Sequence, residues 1–457
     1  MFQDFIESNE NSKFSRMHQQ SLNHIISALK LDQLSVDELI ELMAKGYGVE
    51  HRELGWGQPS AVYQAFIRFE QNASIDTCLD LIKNHNKVGV KAYAYLALVH
   101  KKYEGIFEII RDSLQHSELK VHTMIYDIGD TYFLPDFFIT YSANTLSMEQ
   151  LVALAKAIVE LECKIKYRQS IFTHLDPDHV EYGWIKSHVE TNNDPYGLVL
   201  LAKYHEDADT SLILQFGKEH PLQTFQAIAQ FPHPAFWEFI VEQISVAEHL
   251  QTNYRWVDLF KAISAYKNDN SQSVLEEILK YPKTTDTGKI FPTLIFNALQ
   301  SQFEPFYENL YWLLWKKYGH IDKTIFHYLV ESNHPQAIEI IISTISNQAK
   351  LKQLIDNAYW SDRDWLIFES LNTLKQHDQK LVNDVLYAKF DDYDYFSLDK
   401  LIDFMLTEGS DKLVDKVFDK LKSTRESNIR HLIGIHVRKY PKYWERLVQI
   451  FPNMLDP

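Results

Sequence analysis

The apolar positions of this chain fall on one side of a helix almost from end to end. In residues 335–346, Ala337, Ile338, Ile341, Ile342 and Ile345 recur at i, i+1, i+4, i+5 and i+8, which places them on a single helical face. Pro335 stands at the start of that run, where its missing N–H costs nothing, and Pro221, Pro234 and Pro441 open other runs in the same way. Ser35 with Glu38, and Ser147 with Gln150, have the spacing of capping boxes. Gly319 closes the run "FYENLYWLLWKKY", and the next helical pattern begins almost at once. Helices of roughly 10–18 residues joined by short turns predict antiparallel neighbours.

Two distant segments are alike. "PAFWEFIV" at 234–241 and "PKYWERLV" at 441–448 share a proline, an aromatic residue, Trp-Glu and an aliphatic pair. This agrees with a chain of similar helix pairs, each burying one face and relying on its neighbours for a core. No strict period emerges, so the repeats are expected to be degenerate. In "VGVKAYAYLALVHKKYEGIFEIIRDSL", residues 88–114, Val90 and Lys91 precede the small residues Ala94 and Ala97, with Leu98 beside them. This resembles the second helix of HEAT-type repeats, with lysine in the place of arginine. The resemblance covers about residues 60–120. It implies an all-α fold, a right-handed α-α superhelix of degenerate helix pairs. HEAT-like proteins are mainly protein-binding scaffolds, with a minority that bind nucleic acid or catalyse. The expected organisation is an N-terminal helical cap with a glycine-rich loop over 1–58. A solenoid follows over 59–457, with candidate subdivisions near 170–195 and 282–290.

Composition sharpens this picture. A chain of 457 residues exceeds what one compact core supports, so several domains or an elongated array are expected. Glycine and proline, at 14 each, are too scarce for many short strands and tight turns. The net charge of −16 disfavours nucleic acid and anionic membranes and favours a basic partner. Cys78 and Cys163 are the only cysteines, each inside a helical pattern, so reduced thiols are expected rather than a zinc site or a disulfide. The N-terminus has no apolar run after a basic start, and no apolar run approaches the roughly 20 residues that span a bilayer. A soluble, cytoplasmic protein is the expectation.

Five segments raise questions of chemistry. "THLDPDH", 173–179, offers His174, Asp176, Asp178 and His179 as ligand types, but Pro177 and the helical pattern after it make Asp176 or Asp178 a helix cap. "HEDAD", 205–209, holds a single His205–Glu206 pair, where metal-dependent HEAT-like hydroxylases use recurrent ones; a solvated turn is expected. "KGYGVEHRELGWGQPS", 45–60, carries Gly46, Gly48, Gly55 and Gly57 but no phosphate-loop pattern. It reads as a connector or as a contact loop presenting Tyr47, His51, Arg52 and Trp56. "DDYDYF", 391–396, reads as a solvated loop or as a contact segment of Asp391, Asp392, Tyr393, Asp394 and Tyr395 facing a basic partner. Residues 420–446 hold eight Lys/Arg and two acids, a local +6 that leaves −22 elsewhere. That segment reads as a nucleic-acid patch, as an arm paired with the acidic body, or as helix-end cations stabilising a C-terminal cap, and the two internal alternatives make nucleic acid the weaker choice.

No GxSxG, Rossmann, kinase or Cys/His pattern occurs, and no metal or cofactor is expected. The expected function is non-enzymatic: a solenoid that binds another, basic protein. One such role is a cytoplasmic immunity protein that neutralises a toxin or effector domain. The alternative is a HEAT-like enzyme or nucleic-acid-binding protein, glycosylase-like or metal-dependent.

Overall fold

The computed structural model describes residues 31–450 except 55–57, 127, 162, 164, 248–253, 281–283, 286–287 and 359–361. The chain divides into two compact units, Met1–Glu206 and Asp207–Pro457. It is predominantly helical, as the 3.6-residue pattern predicts.

Unit 1 opens with α1 (Val36–Lys45), started by the expected capping box: Glu38 N–H donates to Ser35 Oγ at 3.3 Å, and Ser35 N–H to the Glu38 carboxylate at 2.7 Å. Next come β1 (Val49–Leu54), β2 (Gln58–Pro59), α2 (Ala61–Asn72), α3 (Ile75–Asn84), α4 (Val88–His100) and α5 (Ile106–Ser113). A hairpin of β3 (Lys120–Tyr126) and β4 (Ile128–Phe133) follows. The unit ends with α6 (Leu134–Ser142), α7 (Met148–Glu160), α8 (Arg168–His174), α9 (Tyr182–Asn192) and α10 (Pro195–Ala202). Helix α4 is its centre. Tyr93, Ala94, Tyr95, Ala97 and Leu98 are all buried, and α1, α3 and α6 pack on it. Lys91, at the arginine place of the HEAT-type pattern, donates to Ile82 O at 2.6 Å and Lys83 O at 3.0 Å. It thereby satisfies carbonyls at the C-terminal end of α3.

Within this helical frame the described residues include a four-stranded sheet, in order β2-β1-β3-β4, that the helical pattern does not announce. β1 lies parallel to β3, with Val49 opposite Thr123, and antiparallel to β2. A parallel pair needs a long crossover, here supplied by α2 to α5. The pairing is long-range, so the local helical rhythm does not reveal it. It also ties 49–54 and 58–59 into unit 1, where α1 packs on α2 and α4.

Unit 2 runs through α11 (Thr210–Phe216), α12 (Pro221–Gln230), α13 (Trp237–Ala247), α14 (Tyr254–Ser264) and α15 (Asp269–Lys280). After a minimal ladder, β5 (Thr284–Thr285) with β6 (Gly288–Lys289), come α16 (Ile290–Ser301), α17 (Glu308–Tyr318), α18 (Lys323–Ser332), α19 (His334–Ile345) and α20 (Gln348–Asn357). The last helices are α21 (Arg363–His377), α22 (Gln379–Lys389), α23 (Tyr395–Thr407), α24 (Asp411–Ser423), α25 (Ser427–Arg438) and α26 (Trp444–Ile450). Gly319 ends α17 at φ +68°, a left-handed position that glycine adopts without strain. The two alike segments fold alike: Pro234–Phe236 and Pro441–Tyr443 each form a 3₁₀ turn leading into a helix at the following tryptophan.

Helices in unit 2 pack on the next but one as well as on the next. α12 meets α14 and α14 meets α16; α19, α21, α23 and α25 follow one another likewise. Tyrosine hydroxyls close carbonyls at the ends of earlier helices: Tyr307 to Ser264 O at 2.8 Å, Tyr318 to Leu279 O at 2.7 Å, Tyr393 to Ile345 O at 2.6 Å, Tyr443 to Leu406 O at 2.8 Å.

Candidate interaction surfaces

The glycine-rich segment of unit 1 is a strand entry rather than a bare connector. A Cβ on Gly48 would lie 2.1 Å from His122 O, so only glycine lets the chain pass this close to β3. Just before it, Tyr47 is 55% exposed, with its ring centroid 5.2 Å from that of His122. His122 Nδ1 in turn lies 3.0 Å from Thr131 Oγ1 on β4. His51 and Arg52 are exposed on β1, His51 stacking near Tyr63 at 6.3 Å. Trp56 lies outside the described residues. Between these positions Glu50 is buried. Its carboxylate accepts from Ser60 Oγ at 2.6 Å, and its N–H donates to Tyr93 Oη at 2.7 Å. The segment thus presents Tyr47, His51 and Arg52 outward and locks Glu50 inward. His122, the ring under Tyr47, comes from a strand far along the chain and carried no local signal.

The Asp/Tyr segment of unit 2 is mostly engaged within the fold. Asp391 accepts from Lys416 at 2.5 Å and Lys420 at 3.5 Å, and the hydrogen bond from Lys416 holds its carboxyl below the usual range. Asp392 accepts from Lys389 at 3.2 Å. Asp394 caps α23, accepting from Ser397 N–H at 2.9 Å. Tyr393 is 3% exposed, and burial pushes its hydroxyl pKa up. It is a core residue and offers no anchor to a partner. The 3₁₀ turn Phe390–Asp392 buries Phe390 and, with the cap after it, turns Tyr393 inward. Tyr395 and Phe396 do project: Phe396 is 65% exposed, and their rings meet edge-on at 5.5 Å.

The basic segment 420–446 pairs inward at several points. Lys420 reaches Asp391, Lys439 reaches Asp403 at 3.0 Å, and Arg446 reaches Asp415 at 2.6 Å. Lysines and acids alternate across α21, α23 and α25: Asp364–Lys400 at 2.7 Å, Lys400–Asp399 at 2.9 Å, and His436 between Asp399 and Asp403. The partners in His436–Asp403, Lys439–Asp403 and His436–Asp399 are 33, 36 and 37 residues apart. Asp399 and Asp403, four apart on one helix face, were the readable half of this cluster.

The two metal candidates resolve into turns. Asp176 caps a 3₁₀ turn, accepting from Asp178 N–H at 3.0 Å, as the cap reading expects. His174 Nδ1 lies 2.7 Å from Ser170 O of its own helix, while His179 lies 3.9 Å from Glu149. Asp207–Asp209 is likewise a 3₁₀ turn. Among the described residues no three His, Cys, Asp or Glu side chains form a metal-holding group. A buried cluster in unit 1 went unread: His188 Nε2 lies 2.6 Å from Asp194 Oδ2, which also accepts from Arg168 at 2.7 Å. Burial favours the neutral Asp194 acid, but the His188 hydrogen bond and the Arg168 charge outweigh it and lower its pKa. His188 Nδ1 meets Asn192 at 3.1 Å, so both ring nitrogens have partners. Both cysteines are buried, which pushes their thiols up, away from the reactive thiolate. No helix among the described residues is long and apolar enough to cross a membrane. No protein-family model, curated protein or solved structure matches the chain.

Proposed function

We propose that this chain is a non-enzymatic protein-binding scaffold, and that the helix pairs of unit 2 form a HEAT-like right-handed α-α superhelix. The observation that carries the reading is the packing of alternate helices on one another, α19 on α21, α21 on α23 and α23 on α25. Such stacking gives a long continuous surface, the property solenoids use for recognition. The net charge of −16 favours a basic protein as partner. A cytoplasmic inhibitor of the immunity-protein kind, holding a basic toxin or effector domain, fits both features. The ion pairs made by Lys420, Lys439 and Arg446 support the reading of 420–446 as an arm paired with the acidic body.

The test is capture of the tagged full-length chain from its native cell, identification of the bound chains, and reconstitution of the pair. The expected result is a basic protein whose association rate falls as salt rises and whose own activity is suppressed in the complex. Tight, salt-sensitive binding of duplex DNA, lost on Arg425→Glu with Lys442→Glu, would favour the nucleic-acid alternative instead.

A further inference from the structure

Where helix α25 packs on α23, one side chain bridges two carboxylates. His436 is buried, and both ring nitrogens face carboxylates of α23. Nδ1 lies 2.7 Å from Asp403 Oδ1, and Nε2 lies 3.0 Å from Asp399 Oδ1. A neutral imidazole has one N–H, so its other nitrogen would turn a lone pair toward a carboxylate oxygen. Both contacts are hydrogen bonds if the ring carries both protons, and the lowered pKa of Asp399 and Asp403 disfavours the alternative in which a carboxyl supplies one of them. The geometry therefore favours an imidazolium.

We propose that His436 is a proton-operated latch. Protonated, it holds α25 and the helix after it on α23; loss of the proton frees this C-terminal pair while the rest of unit 2 stays folded. The proposal does not rest on the protein-binding reading.

The surroundings of the ring are accounted for from each packed element. From α23 come Asp399 and Asp403, with Lys400 shared between Asp399 and Asp364 of α21. From the C-cap of α25 comes Lys439, 3.2 Å from Nδ1 and 3.0 Å from Asp403; just beyond it the Tyr440 hydroxyl donates to Asp403 at 3.1 Å. On α24, Asp415 is paired with Arg446, while Lys416 and Lys420 are paired with Asp391. Burial works against the imidazolium, but the hydrogen bonds to Asp403 and Asp399 outweigh it and raise the ring's pKa. Burial likewise works against the Asp403 carboxylate, and the bonds from His436 and Lys439 overcome it, lowering its pKa to about 2.

The direction follows from linkage. A histidine raised on folding contributes its full stabilisation below its unfolded pKa of about 6.5 and loses it as pH rises through the folded value. A lowered aspartate contributes above its unfolded pKa of about 3.9 and loses this as pH falls toward the folded value. The latch is closed at pH below the ring's unfolded pKa of about 6.5 and opens as pH rises through its raised folded value.

The experiment uses the full chain. Ring-nitrogen NMR reads the protonation of His436, and amide exchange, corrected for intrinsic rate, reads opening between pH 6 and 9.5. Both ring nitrogens should be protonated at pH 7. Protection of 427–450 should fall at least tenfold relative to 363–389 as the ring titrates. His436→Gln should show that low protection at every pH, and Asp399→Asn should shift both the titration and the opening to lower pH. Should His436→Gln not fold, the wild type and Asp399→Asn carry the test. A neutral ring at pH 7, titration without loss of protection, or the same pH-dependent opening in His436→Gln would overturn the latch.

Discussion

The glycine-rich segment of unit 1 and the Asp391–Phe396 segment of unit 2 look alike as sequence. Both are polar and aromatic interruptions of a helical rhythm, and both invite a contact-loop reading. The fold uses them differently. The first is taken up by strand pairing across some seventy residues, with Val49 set beside Thr123. The second stays local: a 3₁₀ turn, an Asp394 cap, and carboxylates answered by Lys389, Lys416 and Lys420. An interruption in the periodic pattern marks where a helix stops. What the chain does there depends on partners the local pattern cannot name.

The largest effect expected from this contrast is at Gly48. Alanine there must move the β3 backbone, because the obstacle is the His122 carbonyl rather than a flexible side chain. Gly48→Ala should destabilise unit 1 by about 3 kcal/mol. Urea denaturation measures the loss, and amide exchange at 49–54 and 120–133 localises it. Unchanged stability would mean that β1 does not enter the sheet beside β3.

A smaller effect lies in unit 2, at His320. This buried ring stacks on Phe296, has Thr293 Oγ1 3.2 Å from Nε2, and leaves Nδ1 without a partner. Burial lowers its pKa to about 4. The sign is opposite to that of His436: the folded state favours the neutral ring, so its contribution is complete above about pH 6.5 and is lost as pH falls toward 4. By pH 5 the loss should be about 2 kcal/mol, seen as the extra acid sensitivity of wild type over His320→Asn in urea melts at pH 7 and pH 5. Equal sensitivity of the two proteins would place His320 in contact with water.

The third effect separates the two segments as contact sites. Tyr395 and Phe396 stand beside Asp391, Asp392 and Asp394, whereas Tyr47 stands among Lys45, His51, Arg52 and His122. On the proposed reading, a basic partner is expected at the former, where Tyr395 and Phe396 project. Phe396→Ala should weaken the captured partner about tenfold, mainly through faster dissociation, and Tyr47→Ala should leave its affinity unchanged. Both changes should leave fold stability within about 0.5 kcal/mol, since both rings are exposed. The reverse pattern of affinities would move the contact site to unit 1.

What could be read in the sequence followed the range of the interactions. Capping boxes at Ser35 and Ser147, proline starts and the Gly319 stop are set within a few residues, and each stands where its spacing places it. The matched tryptophan turns at 234–241 and 441–448 were visible for the same reason. The sheet escaped because β1 and β3 identify each other only when folded. Tyr393 escaped because an Asp-rich context suggests solvent, while its hydroxyl serves a carbonyl 48 residues earlier. The Asp399–His436–Asp403 cluster escaped similarly, its histidine lying 33 residues or more from either aspartate.

The smallest effect returns to glycine, and it runs the other way from Gly48. Gly434 lies inside α25, buried, yet a Cβ built there meets nothing within 4 Å. Its backbone is helical, and no close backbone approach of the kind that makes Gly48 irreplaceable is present. Glycine in a helix interior loses more chain entropy on folding than alanine does, and the added methyl fills open space instead of striking backbone. Gly434→Ala should therefore stabilise unit 2 by about 0.5–1 kcal/mol, a rise in urea midpoint without a change in slope. Protection of 427–438 should rise with it. A loss of stability would mean that α25 approaches its neighbours more closely at Gly434 than the open space around that Cβ allows.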